Sequence, residues 1–346
     1  MNLIDLTTNF FHNSNSKLKK IMRYQTAQRN SCRKTQMLQK DIIKLIQANK
    51  GKHSISEVAM NNQIEREIYG LLDKKSQKES KQRIIERTKI NMLQKMCIKQ
   101  IYQDLKDIIL LKGFTIGENR YQVDIDLLAR SDFSKTGEKL ENLGFMKMGY
   151  DHKNKEHYHH LSYGKKYDSY TVHIELHHQI EQRNSPFKFN ISSKDIVKDK
   201  IGNLNIKRLD NEALLIHICT HTSYDHMYVT GIKGLIDIKK YLDERHVDWN
   251  KIVSKSKEWG CETYVYHVLN LSKELLNAKV PGYIIKQLEQ CVNKKDLLFL
   301  NYIKKNIVTT RNVKILNIER WILRLFFSKN LKQAWNILID GLSIRF

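Results

Sequence analysis

The chain has only two prolines, Pro186 and Pro281, and each falls where a connection between elements is expected. Its five cysteines (Cys32, Cys97, Cys219, Cys261, Cys291) include no short-spaced pair. That excludes a disulfide framework or a cysteine-built zinc site and fits a reducing compartment. No stretch approaches the roughly 20 apolar residues of a membrane span. The N-terminus lacks a basic region followed by an apolar run and a small-residue cleavage site, so the expectation is a soluble, unprocessed, cytoplasmic protein. Internal repeats and low-complexity tracts are missing as well. With 41% hydrophobic and 9% aromatic residues over 346 positions, the chain has the material for a sizeable core and is not a disordered one.

Positive charge is in excess, at +23, but it is unevenly placed. Residues 1–100 hold 21 Lys/Arg against 8 Asp/Glu, residues 301–346 hold 9 against 2, and the 200 residues between hold 30 against 27. A groove tracking nucleic acid would carry basic charge through the middle too, so a nucleic-acid partner is not favoured. The basic ends read as solvated faces or as a surface for an anionic partner.

Residues 35–110 have helical texture, with Leu93, Cys97, Ile101, Leu105 and Ile108 forming one buried stripe. From about 121 to 180 the pattern becomes short and alternating: "YQVDIDLLA", a helix-like "FSKTGEKLENLGF", then "HYHHLSY" and "YTVHIELHHQI". Helical spacing returns from 210 onward in "NEALLIHICTHTSYDH" and "IKGLIDIKKYLDER". The plan is a compact α/β centre wrapped by helices from both ends.

In a strand, residues two apart share a face, so Asp124 and Asp126 lie together while Val123, Ile125 and Leu127 face the other way. Paired carboxylates repel, and a hard divalent cation such as Mg²⁺ relieves this with oxygen ligands, water and substrate phosphates. The plainer reading of an isolated D-x-D is an edge strand with solvated aspartates. A second strand weighs against it: in "TVHIELHHQI", His173, Glu175 and His177 share one face opposite Val172, Ile174 and Leu176. If the two strands are neighbours, Asp124, Asp126 and Glu175 converge, as metal-assisted phosphoryl or nucleotidyl transfer requires.

"LLKGF", "RYQVDIDLLA", "GFMKMGY", "HYHH" and "VHIELHHQI", in that order, resemble the uncharacterised bacterial nucleotidyltransferase family of the DNA polymerase beta superfamily. The resemblance covers about residues 105–180 well and continues more loosely to about 275. It implies an α+β fold, a polymerase-beta-like nucleotidyltransferase core with a small mixed sheet, embedded in N- and C-terminal helices. The expected division is 1–104 helical, 105–185 nucleotidyltransferase core and 186–346 helical. The resemblance further implies that Asp124, Asp126 and Glu175 are catalytic and hold the metal, Mg²⁺ or alternatively Mn²⁺, with Glu175 as a base toward the acceptor.

Lys112 and Gly113 stand where the wider superfamily usually has Gly-Ser. Lys112 would bind NTP phosphates by charge and Gly113 would let the backbone approach them at a helix N-terminus; a solvated lysine at a strand–helix junction is the alternative. Arg120 would contact a phosphate or acceptor anion, or else form an ion pair.

Six histidines fall between 157 and 178, a density that suggests zinc, yet no fixed ligand spacing such as H-E-x-x-H is present. The resemblance places His159, His160 and His177 at acceptor or phosphate binding. His173 and His178 read as surface residues, and His217, His221 and His226 as packing residues of the helical half. The C-terminal "NIERWILRLFFSKNLKQAWNILIDGLSIRF" is basic and amphipathic, and reads as a helix packed on its own domain ahead of a membrane-surface helix. The leading expectation is an NTP-dependent, Mg²⁺-assisted enzyme moving an NMP onto a hydroxyl or phosphate of an unknown acceptor. The alternative is an inactive nucleotide-binding scaffold of the same fold, and a template-independent RNA-modifying polymerase ranks last.

Overall fold

The computed structural model describes residues 35–48, 54–116, 120, 122–148, 159–182, 185–228 and 230–308, with scattered positions between 322 and 338. Seven strands form one mixed sheet: β1 Ile108–Leu110, β2 Asp124–Ala129, β3 Met146–Lys147, β4 His160–Tyr167, β5 Tyr170–His177, β6 Ile196–Ile201 and β7 Leu204–Leu209. Their spatial order is β3-β4-β5-β2-β1-β7-β6. β2 and β5 are parallel neighbours at the centre, with Asp124 opposite His173, Asp126 opposite Glu175 and Leu128 opposite His177. β4 runs antiparallel to β5 and sets His160 opposite His177.

Alternation along the strands builds two cores. Ile125, Leu127 and Ala129 of β2, with Val172, Ile174 and Leu176 of β5, pack on one face against Cys97, Ile98 and Ile101 of α4 (Lys74–Asp104) and Leu140 of α5 (Phe133–Asn142). On the other face Ile109, Leu111, Leu128 and Leu209 join a larger core built by α1 (35–48), α2 (Ile55–Asn61), α3 (Glu65–Ile68), α6 (Asn211–Thr220), α7 (Lys233–Glu244), α8 (Trp249–Trp259), α9 (Glu262–Leu276), α10 (Gly282–Glu289) and α11 (Lys294–Asn306). Asp124 and Asp126 share the face of Leu128, so they project toward the helical layer while Ile125 and Leu127 anchor the strand from behind.

Both long helices beside the site carry side-chain caps. The Asp73 carboxylate accepts from Ser76 N–H at the start of α4, and Asp210 accepts from Ala213 N–H at the start of α6, meeting backbone donors that the first helical turn leaves free. α4 also fixes the entry to β2, since Asn91 Nδ2 donates to the Arg120 carbonyl (3.0 Å) and Gln94 Nε2 to the Val123 carbonyl (3.2 Å).

Three expectations change. Helix α4 ends at Asp104, so Ile108, read as part of the helical stripe, lies on β1, though it stays in the same core. The stretch 186–346, read as helical, opens with the β6–β7 hairpin, which joins the sheet through the parallel contact of β7 with β1. The helix expected to begin at Gly113 is instead a turn closed by Ile116 N–H to the Gly113 carbonyl, 3.0 Å. Much of the C-terminal segment, including Trp321, Arg320, Lys329 and Lys332, lies outside the described residues, as does His157. Within that segment, Arg324 donates to the Asp225 carbonyl (2.9 Å) and sits 5.4 Å from the Tyr224 ring centroid, which is packing on its own domain.

Candidate functional site

The Leu111 N–H donates to the Asp126 carbonyl at 3.0 Å, locking the end of β1 to the middle of β2. The next residue, Lys112, then reaches the same face, and its Nζ lies 3.0 Å from Asp126 Oδ1. Gly113 follows with φ +84, and a Cβ there would overlap Gln122 Oε1 at 1.5 Å, so the turn that presents Lys112 requires glycine.

From β5, Glu175 comes alongside Asp126 through the parallel register, and His177 Nε2 stands 3.5 Å from both Asp126 Oδ1 and Glu175 Oε2. His160 Nε2 lies 3.7 Å from Glu175 Oε1. Asp126 and His177 are buried, whereas Asp124, Glu175, His159 and His160 are half-buried. Asp126, Glu175, His159, His160 and His177 line a cleft of about 160 Å³ with Lys112, Gln182, His217, His221, Asp225 and His226, while Asp124 lies beside it on the same strand face.

The charges are tightly coupled. Burial, and then the charge of Asp126, lift the Asp124 carboxyl to about 7. Burial also opposes ionisation of Asp126, but Lys112 and His177 outweigh it and hold that carboxyl below the usual carboxylate range. One strand therefore carries two carboxylates with opposite proton preferences, which is what two like charges on one face must do when cations favour one of them. Burial would depress the Lys112 ammonium, yet Asp126, Asp124 and Glu175 together raise its pKa above the ordinary lysine value. His177 is likewise raised, its carboxylate neighbours overcoming burial. His159 goes the other way, to about 2, through burial and the adjacent His177 and His160.

The expected residues thus come together apart from Asp124, which reaches the others through charge rather than by lining the cleft, and Arg120. Arg120 Nη2 pairs with Asp237 Oδ2 of α7 at 2.7 Å and lines a separate small cavity with Arg87, Thr88 and Lys233. Its charge still reaches Asp126 and Asp124, but its guanidinium is turned to α7. Of the histidines left outside the site, His178 is exposed and packs edge-on against Phe133.

His217, His221 and His226, expected to be packing residues, line the cleft with the histidines of β4 and β5. His221 Nε2 contacts Lys112 Nζ, and burial together with Lys112 keeps His221 well below the usual histidine range. The chain widens here into a π-turn over His221–Asp225, closed by His226 N–H to the His221 carbonyl at 2.9 Å, and Met227 and Tyr228 follow at φ 45 and 60. Wide turns and left-handed non-glycine residues concentrate at functional sites. The i, i+4 spacing of His217 and His221 was the available signal, but periodicity does not say what a helix face looks onto.

A mixed sheet carrying carboxylates on two adjacent parallel strands, backed by helices on both faces, is the nucleotidyltransferase core. The chain belongs to the uncharacterised nucleotidyltransferase family, which it matches over residues 43–277. That span covers the sheet, the cleft and α2 through α9. No curated protein matches the chain. Among the described residues no helix is long and apolar enough to cross a membrane.

Proposed function

We propose that the cleft carries out metal-assisted nucleotidyl transfer, passing the NMP of an NTP to a hydroxyl or phosphate oxygen of an acceptor and releasing pyrophosphate. The observation that carries this reading is the register that puts Asp126 beside Glu175 on parallel neighbours, with Lys112 held against the same carboxylate.

The donor set fits a hard divalent ion. Three carboxylates face a single lysine, and oxygen ligands of this kind, completed by water and phosphate, suit Mg²⁺ or Mn²⁺. Asp124, Asp126 and Glu175 would hold it, and it would neutralise phosphate charge as the α-phosphorus is attacked. The chain's own groups do the rest. Lys112 offers an ammonium to the triphosphate from a turn that Gly113 alone permits, which favours charge developing on the leaving pyrophosphate. The acceptor oxygen forms the new bond to the α-phosphorus as the bond to the β-phosphate bridging oxygen breaks, and Glu175 takes the acceptor proton. His159, His160 and His177 line the acceptor or phosphate side, and His217, His221 and His226 face them. Arg120 takes an indirect part, holding the entry to β2 against α7 through Asp237.

The test incubates the protein with each α-³²P-labelled NTP and Mg²⁺, with and without cell extract. One nucleotide is expected to label a new species whose mass identifies the acceptor. Nucleotide binding without label transfer from any NTP would instead make the protein an inactive scaffold of this fold.

A further inference from the structure

The side chains at the β4–β5 end of the cleft form a second set of donors, different in kind from the carboxylates. His159, His160 and His177 make a triangle of imidazoles with ring centroids 4.6, 5.1 and 5.0 Å apart. One ring nitrogen of each lies within 4.8 Å of the others. The backbone fixes this arrangement: His160 and His177 are direct cross-strand partners, and the His178 N–H donates to the His159 carbonyl at 3.1 Å, clamping the residue before β4 onto the end of β5.

Three further observations point to an ion. His159 Nε2 and His160 Nδ1 are 3.3 Å apart and share a hydrogen bond, and an ion taking that hydrogen's place would need no movement of the rings, because metal–nitrogen bonds of about 2.0–2.1 Å at the tetrahedral angle put two ligand nitrogens about 3.3–3.4 Å apart. The outer nitrogen of His160, Nε2, faces Glu175 Oε1, and His177 Nε2 faces Asp126 and Glu175. That is the outer carboxylate partnership that orients metal-bound imidazoles and fixes their tautomer. Lastly, His177 Nδ1 is buried and makes no hydrogen bond, so it remains as a ligand atom with nothing to bind.

We propose that His159 Nε2, His160 Nδ1 and His177 Nδ1 hold an imidazole-preferring divalent transition-metal ion such as Zn²⁺, with its fourth position open to the cleft. Three protein ligands with one open position is the pattern of catalytic rather than structural zinc. The site adjoins the carboxylate site across His177 but differs from it in donor chemistry, since Mg²⁺ takes oxygen donors and imidazole suits later first-row metals. It goes beyond the transfer reading and does not depend on it, because nothing in it requires a nucleotide.

The experiment titrates the untagged, chelator-treated full chain with Co²⁺ in excess Mg²⁺, following the visible bands of tetrahedral Co²⁺ and displacement by Zn²⁺. One Co²⁺ per chain is expected, displaced by Zn²⁺ and unaffected by Mg²⁺. The bands should be lost in His159→Ala and His160→Ala, and kept in Asp124→Asn and in His226→Ala on the opposite wall, with circular dichroism reporting the fold of each variant. Because the wild-type titration stands apart from any variant, uptake well below one Co²⁺ per chain overturns the site even if a variant fails to fold. Bands that vanish in His226→Ala and persist in His159→Ala overturn it too. Label transfer from NTP tests the other reading separately.

Discussion

Lys112 is where charge and geometry are most tightly bound together. Its ammonium is the counter-charge of a buried carboxylate, and removing one partner of such a pair leaves an uncompensated charge in low dielectric. Lys112→Met is expected to cost about 3–5 kcal/mol of unfolding free energy in Mg²⁺-free buffer. Urea denaturation would show this, and added Mg²⁺ should restore part of it; an unchanged midpoint would mean that Lys112 does not neutralise Asp126. Away from the cleft, His267 is fully buried on α9 beside Phe299, and burial lowers its pKa to about 3. The folded protein keeps it neutral while the unfolded chain protonates near 6.5. Its stabilising contribution is thus complete above about 6.5 and falls by about 1.4 kcal/mol per pH unit down to about 3. His267→Phe should flatten that part of the stability–pH curve, and equal slopes in the two proteins would contradict the assignment. At this scale the carboxylates were legible because strand alternation shows which residues share a face. His217 on α6 and His221 and His226 on the turn after it were not, because helical spacing identifies a face without naming the surface opposite it.

Elements with complete local signals were readable from the sequence. "FSKTGEKLENLGF" contains α5, "YTVHIEL" is the body of β5, and "IKGLIDIKKYLDER" contains α7. Lateral order in the sheet was not readable, since it depends on long-range pairing: β7, about a hundred residues downstream of β1, is its parallel neighbour. The joint between the N-terminal helices and the helical half combines a shared apolar core, ion pairs such as Lys240 with Glu67, and one buried side chain that no pattern announced. Asn62, 4% exposed at the end of α2, donates from Nδ2 to the Val58 carbonyl (2.9 Å) and accepts at Oδ1 from Ile232 N–H at the start of α7 (2.9 Å). Gly231, at φ 58, leaves the room this needs, because a Cβ there would lie 1.8 Å from Asn62 Oδ1. Asn62→Ala strands a buried backbone donor and is expected to cost about 1–3 kcal/mol. Hydrogen exchange should rise at Ile232 and the first turn of α7, and protection there equal to wild type would remove this joint from the account.

For the whole molecule, the sheet separates two cores and the cleft lies where its acidic face meets the helical layer. The basic excess lies at the chain ends, outside 101–300, and the shifts of Asp126 and Lys112, which burial opposes, trace chiefly to one another and to Asp124, Glu175 and His177. The family resemblance read from a few short motifs near 105–180 extends through 43–277, because the supporting helices belong to the same unit as the strands they cover. The most direct test of the central claim runs α-³²P- and γ-³²P-labelled forms of the active NTP in parallel, in Mg²⁺, on wild type, Asp126→Asn and Glu175→Gln. The α label is expected to pass to the acceptor and the γ label to leave in pyrophosphate, and both folded variants to lose transfer by at least about 100-fold, the scale on which preorganised charge acts in catalysis. Transfer of the γ label, or α-label transfer that survives both substitutions, would contradict the central claim.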